Sequence, residues 1–126
     1  MKENIILDKT FDFAVKTVEN YKYLIYKKKE YVLSKQMLRS GTSIGANVNE
    51  ATAAQSKKDF LSKMSIASKE SRETLYWIKL LNKTGYMKDQ EYFNDCKEII
   101  RILTSIVKTT SENTKWILKQ LLILNS

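Results

Sequence analysis

Residues Gly41-Thr42-Ser43-Ile44-Gly45 spell G-x-S-x-G, the pattern that carries the serine nucleophile in one large class of hydrolases. That chemistry needs a strand before the turn and a histidine to take the serine proton. The chain contains no histidine, and the residues before Gly41 read as helix, so the match is accidental. Absence of histidine also removes the commonest general base and metal ligand. One cysteine, Cys96, cannot build a zinc or iron–sulfur site, and no phosphate-binding G-x-x-x-x-G-K-[ST] loop occurs. Carboxylates at Glu50, Glu70 and Glu73 invite comparison with the di-metal sites of helical bundles. Those sites pair glutamate with Glu-x-x-His, which is missing, so salt bridging is the expected role. The expectation is a protein without catalytic residues, metal or cofactor.

Charge is the stronger signal. Twenty-two lysines and arginines face fourteen acidic residues, a formal balance of +8. The segment from Tyr21 to Tyr31 interleaves tyrosines with lysines: Lys22, Tyr23, Tyr26, Lys27, Lys28 and Lys29 lie within it, and Lys35 follows. Aromatic rings stack on bases while ammonium groups meet phosphates, so this mixture suits single-stranded nucleic acid. A second basic line, Lys97, Arg101, Lys108, Lys115 and Lys119, recurs at spacings that hold one helical face. Two other readings stay open: a solvated surface with tyrosine bodies packed inward, and a protein-interaction scaffold that meets an acidic protein and no nucleic acid.

The elements that position these residues are helices. No proline interrupts the 126 residues, and three glycines are too few for the turns of an all-β chain. A first helix is expected from a cap at Asp8 or Thr10, burying Phe11, Ala14, Val18, Tyr21 and Ile25 and pairing Asp12 with Lys16. It should fade at Lys27–Lys29. A second begins near Glu30 and buries Leu33, Met37, Ile44, Val48 and Ala51. Gly41 and Gly45 give it a small surface for close helix approach, at an intrinsic cost of about 1 kcal/mol each. Ser56 with Asp59 caps a third helix that ends at Gly85. Asp89 caps a fourth.

In that last helix Cys96, Leu103, Thr110, Ile117 and Leu124 recur at sevens, as do Phe93, Ile100, Val107, Thr114 and Leu121. Running to about residue 124, it would be roughly 50 Å long. The expected fold is therefore all-α, an antiparallel up-down-up-down four-helix bundle, formed by residues 1–126 as a single domain. Folding the middle helices back on each other sets Arg39 against Glu73 and places Asn47 in a partly buried interface. A lone cysteine and the lack of about 18 consecutive apolar residues favour a cytoplasmic protein without a membrane role.

The run Arg39-Ser40-Gly41-Thr42-Ser43-Ile44-Gly45-Ala46-Asn47-Val48-Asn49-Glu50-Ala51 closely resembles the core signature of the 23S rRNA intervening-sequence (S23-type) proteins. Ser56-Lys57-Lys58-Asp59-Phe60, Ile66-Ala67, Glu70-Ser71-Arg72-Glu73-Thr74 and Tyr76-Trp77 continue it. Arg39, Gly41, Gly45, Asn47, Glu50 and Glu73 are its structural positions here. Ala51 departs from the pattern, where many members carry glycine. The resemblance implies a bacterial, cytoplasmic, homopentameric barrel of four-helix bundles, encoded within insertions of large-subunit ribosomal RNA genes. A similar fold serves as the accessory protein of diversity-generating retroelements, where it meets RNA. Nucleic-acid binding by a homo-oligomer is the functional expectation.

Overall fold

Capping side chains and a left-handed glycine mark several of the helix boundaries. The computed structural model describes residues 2–124, with side chains described at 5–113 and 121–123. It contains α1 (Lys2–Tyr26), α2 (Leu33–Thr52), α3 (Lys57–Lys83) and α4 (Gln90–Leu124). At the start of α3, the Ser56 hydroxyl accepts the Asp59 N–H at 3.0 Å. At its end Gly85 adopts a left-handed φ of 85°. The Gly85 N–H then reaches the Asn82 carbonyl and the Tyr86 N–H the Leu81 carbonyl, which closes the last turn. Asp89 caps α4 by accepting the Tyr92 N–H at 3.0 Å.

The start of α2 differs from expectation. Glu30 does not open the helix; it stands ahead of it. Its carboxylate accepts the N–H groups of Val32, Leu33 and Ser34 at 3.1, 2.8 and 2.7 Å. A helix N-terminus leaves these donors without intrahelical partners, and one buried side chain satisfies three of them. Burial opposes ionisation of Glu30, but the backbone hydrogen bonds from Leu33, Ser34 and Val32 outweigh it and hold the carboxyl below its ordinary range. The turn that delivers Glu30 puts Lys29 at φ 56°, a left-handed conformation uncommon outside glycine.

The four helices pack in an up-down-up-down bundle. α1 lies against α2, α2 against α3 and α3 against α4, and α4 returns more sparsely to α1. The core is made by Phe13, Leu24, Met37, Ile44, Val48, Met64, Ile78, Leu81, Tyr92, Ile99 and Leu103. Phe13 and Tyr92 stack with ring centroids 4.6 Å apart, and the Tyr92 hydroxyl lies 2.7 Å from that of Thr17. Beside it, Gly41 lets α1 come close: a Cβ there would sit 2.6 Å from the Thr17 methyl. A Cβ at Gly45 would lie 3.1 Å from the Thr10 carbonyl oxygen. Both glycines therefore serve packing within one chain.

Two expectations for α1 need correction. The helix starts at Lys2, ahead of the proposed caps at Asp8 and Thr10. Its inward face is Ile6, Thr10, Phe13, Thr17 and Leu24, whereas Phe11 is 69% exposed and Val18 is exposed as well. The inward stripe is hidden in the sequence because two members are threonines. Their hydroxyls bond to their own helix, Thr10 to the Ile6 carbonyl and Thr17 to the Phe13 carbonyl, and so are buried without an unmet donor. Lys16 likewise ignores Asp12 and crosses to α4, meeting Glu91 at 2.9 Å and Asp95 at 2.6 Å.

α4 carries its heptad stripes as expected where they are described. Cys96 and Leu103 are fully buried, and Phe93, Ile100, Val107 and Thr110 are half-buried. Leu121 is half exposed, while the side chains of Thr114, Ile117 and Leu124 lie outside the described residues.

Candidate nucleic-acid interface

The α1–α2 connection (27–32) and the α3–α4 connection (84–89) lie at the same end of an up-down-up-down bundle. The first brings Lys27, Lys28 and Lys29, with Lys22, Tyr23, Tyr26 and Lys35 on the adjoining turns, all exposed. Tyr31 is exposed beside them. The second brings Lys83, Tyr86 and Lys88, also exposed. Seven lysines and four exposed tyrosines thus share one end. Sequence reasoning missed Lys83, Tyr86 and Lys88, which are distant in the chain from the tyrosine–lysine run; the signal for them was the topology itself.

Two carboxylates at this end cap helices. Glu30 is occupied by three backbone N–H groups and Asp89 by the Tyr92 N–H and the Asn20 amide. Lys27–Lys29 follow the C-terminus of α1, and Lys83 lies in the last turn of α3, where the helix dipole favours cations. Glu91, in the first turn of α4, pairs with Lys16, and lysines and tyrosines make up most of the remaining outward surface of this end.

The second basic line is a separate feature. Lys97, Arg101 and Lys108 are exposed on α4, and the Lys97 ammonium lies 5.4 Å from the Phe93 ring centroid. This line begins about 10 Å below the loop end and leads away from it. The side chains of Lys115 and Lys119 lie outside the described residues.

Other candidate residues hold the α2–α3 hairpin together. Arg39 reaches Glu70 at 3.2 Å and also pairs with Glu73, as the register argument requires; Glu73 further accepts the Trp77 indole N–H at 3.1 Å. Although partial burial works against it, the bonds and charges of Glu73 and Glu70 keep the guanidinium firmly protonated. Glu50 pairs with Lys63 at 2.9 Å. Each carboxylate considered for a metal therefore faces a cation, and among the described residues no three acidic or cysteine side chains gather to hold one. Ser43 sits within α2, where its hydroxyl and carbonyl both accept from the Asn47 amide. No nucleophile elbow forms. Cys96 is buried, and burial pushes its thiol up to about 12.

Comparison with known proteins agrees with this architecture. The sequence profile of the 23S rRNA-intervening sequence protein family matches residues 2–107. The chain belongs to that family. A crystal structure at 1.70 Å of a protein with unknown function, from the S23 ribosomal protein family of Bacteroides thetaiotaomicron, is 51% identical and superposes with a TM-score of 0.82. The match covers 86% of this chain and 99% of that one. No curated protein matches. In this chain α4 runs on past the family profile from Lys108. Among the described residues, no helix is long and apolar enough to cross a membrane.

Proposed function

We propose that this protein is a non-enzymatic, homo-oligomeric bundle that binds RNA or another nucleic acid through its lysine- and tyrosine-rich loop end. The observation that carries the reading is the convergence of the two connections. Lysines on both can neutralise phosphates, and Tyr23, Tyr26, Tyr31 and Tyr86 offer ring faces to unstacked bases. The carboxylates Glu30 and Asp89 are turned onto helix N-termini, and the seven lysines outnumber them.

Self-association is supported by the outer face of α1. Leu7, Phe11, Ala14, Val15 and Val18 form a second apolar stripe, and its N-terminal part lines a groove of about 560 Å³ with Thr42, Gly45, Ala46 and Asn49 of α2. An exposed apolar strip of this kind marks a protein–protein contact. Five subunits, as the family resemblance implies, would repeat the basic end around a ring and raise apparent affinity through multivalency. Light scattering should return a multiple of the 14.7 kDa chain, and Phe11→Glu should reduce it.

Filter binding against ribosomal RNA fragments at two salt concentrations tests the nucleic-acid reading. Affinity should fall as salt rises, with a log–log slope of about −0.7 per phosphate contact on single strands. The scaffold alternative predicts no binding at either salt and recovery of an acidic protein instead.

A further inference from the structure

We infer that the α3–α4 face binds the duplex stem of an RNA whose unpaired bases lie on the loop end, so that the protein takes RNA at a junction of double and single strand. This rests on the loop-end reading and names its substrate class. One contact fixes the geometry: the Arg72 guanidinium donates to the Thr104 hydroxyl across the outer α3–α4 seam at 2.9 Å. A step of seven residues returns to the same helical face, so Lys79 lies in line with Arg72 on α3, and Lys97 with Thr104 on α4. Arg101 and Lys108, three before and four after Thr104, flank the same side of α4. Lys83, one turn beyond Lys79, carries the line into the loop end, about 16 Å along α3 from Arg72. All six of these cations are exposed.

Along this stretch the carboxylates turn elsewhere. From residue 70 to residue 111 the acids are Glu70, Glu73, Asp89, Glu91, Asp95 and Glu98. The first two meet Arg39 of α2, the last three meet Lys16 and Lys9 of α1, and Asp89 takes the Tyr92 N–H and the Asn20 amide. Glu98 is held ionised by its bond from Lys9, with burial opposing, and Arg101 adds only its charge from beyond ion-pair distance. Rings separate this surface from the loop end. There, Tyr23, Tyr26, Tyr31 and Tyr86 stand free for unstacked bases. Here the floor is Leu75, Phe93 and Ile100, all half-buried, and the Lys97 ammonium lies over the Phe93 ring. Tyr76, 58% exposed at the margin, stands edge-to-face with Trp77. Lines of cations over a covered floor suit a backbone that keeps its bases inside, and duplex RNA is recognised through its shape and its phosphates. Among the described residues each helix packs only on its two neighbours in the order α1, α2, α3, α4. The α3–α4 face therefore lies across the bundle from the α1–α2 groove and is not the surface proposed above for self-association.

Filter binding of the full chain to three synthetic RNAs tests this: a stem of about twelve base pairs with a single-stranded tail of about ten nucleotides, the tail alone, and the blunt stem alone. Wild type should bind the tailed stem at least about tenfold more tightly than either part, because each part holds the other at high effective concentration. Lys79→Gln with Lys97→Gln should abolish the gain from the stem. On the tailed stem it should also take about 1.8 from the magnitude of the log–log salt slope, about 0.9 for each duplex phosphate contact. Binding of the tail alone should stay at the wild-type level, which also shows that the variant is folded. Equal affinity of wild type for the tailed stem and the tail would overturn the proposal and leave the loop-end reading in place. A blunt stem bound as tightly as the tailed one, or equal losses on tail and tailed stem in the variant, would overturn it too. No binding of any of the three removes the loop-end reading as well. Poly-glutamate bound by wild type and lost in the variant, with no gain from the stem, would assign the face to an acidic protein instead. A fall in oligomer mass by light scattering in the variant would assign it to a subunit contact.

Discussion

The two ends of the bundle are built on opposite principles. At the loop end every helix terminus is closed: the Lys28 and Glu30 N–H groups reach the Tyr23 and Leu24 carbonyls at the end of α1, Glu30 and Asp89 cap α2 and α4, and the Gly85 turn closes α3. Leu24 beneath it is fully buried. At the other end the core opens. Ile6, Phe60 and Met64 line two clefts of about 370 and 380 Å³, and α4 runs on past them. The sealed end turns lysines and tyrosines outward, while the open end presents apolar surface. One end is closed by capped helix termini, the other is left with open apolar clefts.

Core truncation should separate the ends most in stability. Leu24→Ala leaves an enclosed cavity, whereas Ile6→Ala widens a cleft already open to water. Both fall in the range of about 2–5 kcal/mol for such changes, with Leu24→Ala the larger by about 1 kcal/mol. Urea unfolding of the two variants measures this, and a larger loss at Ile6 would mean the clefts are closed in solution.

The cap at Glu30 comes next. Glu30→Ala strands three N–H groups and should cost about 2–3 kcal/mol by the same measurement. The pH dependence follows from the lowered carboxyl. Its stabilisation is complete above the ordinary carboxylate range and is lost as pH falls through the depressed folded value. The gap in melting temperature between wild type and Glu30→Gln should therefore narrow on acidification from neutral pH, and a gap that widened would contradict the cap.

A smaller effect lies next door. Lys29→Gly relieves the left-handed backbone and should stabilise the protein by about 0.5–1 kcal/mol, the steric gain exceeding the entropy glycine adds to the unfolded chain. It also removes one lysine, so a variant that melts higher yet binds RNA more weakly would separate the roles of the turn and the charge.

Much of this contrast was legible in residues with strong local chemistry. Ser56, Gly85 and Asp89 announce helix ends because each has a specific hydrogen bond or φ to supply, and Arg39 found Glu73 because hairpin register follows from a short turn. Glu30 escaped because a glutamate before a helix is not among the usual caps; only the turn at Lys29 folds it onto α2. The inward face of α1 escaped because Thr10 and Thr17 look polar in sequence but satisfy themselves on their own helix. Phe11 and Val18 then claimed the core by apolar character, although the structure gives them to the surface. At the basic end, Lys27–Lys29 were visible as a run. Lys83, Tyr86 and Lys88 join them only through tertiary topology.

The central claim is that the loop end, and not net charge alone, carries nucleic acid. Two variants with the same charge test it: Lys27→Gln with Lys28→Gln at the loop end, and Lys57→Gln with Lys58→Gln at the open end, where both lysines are exposed. Binding to a single-stranded ribosomal RNA fragment is followed across a salt series. The loop-end variant should bind more weakly at every salt and lose about 1.4 from the magnitude of its log–log slope, 0.7 for each phosphate contact removed, while the open-end variant keeps the wild-type slope. Equal losses in both variants, or no binding by the wild-type protein, would contradict the account.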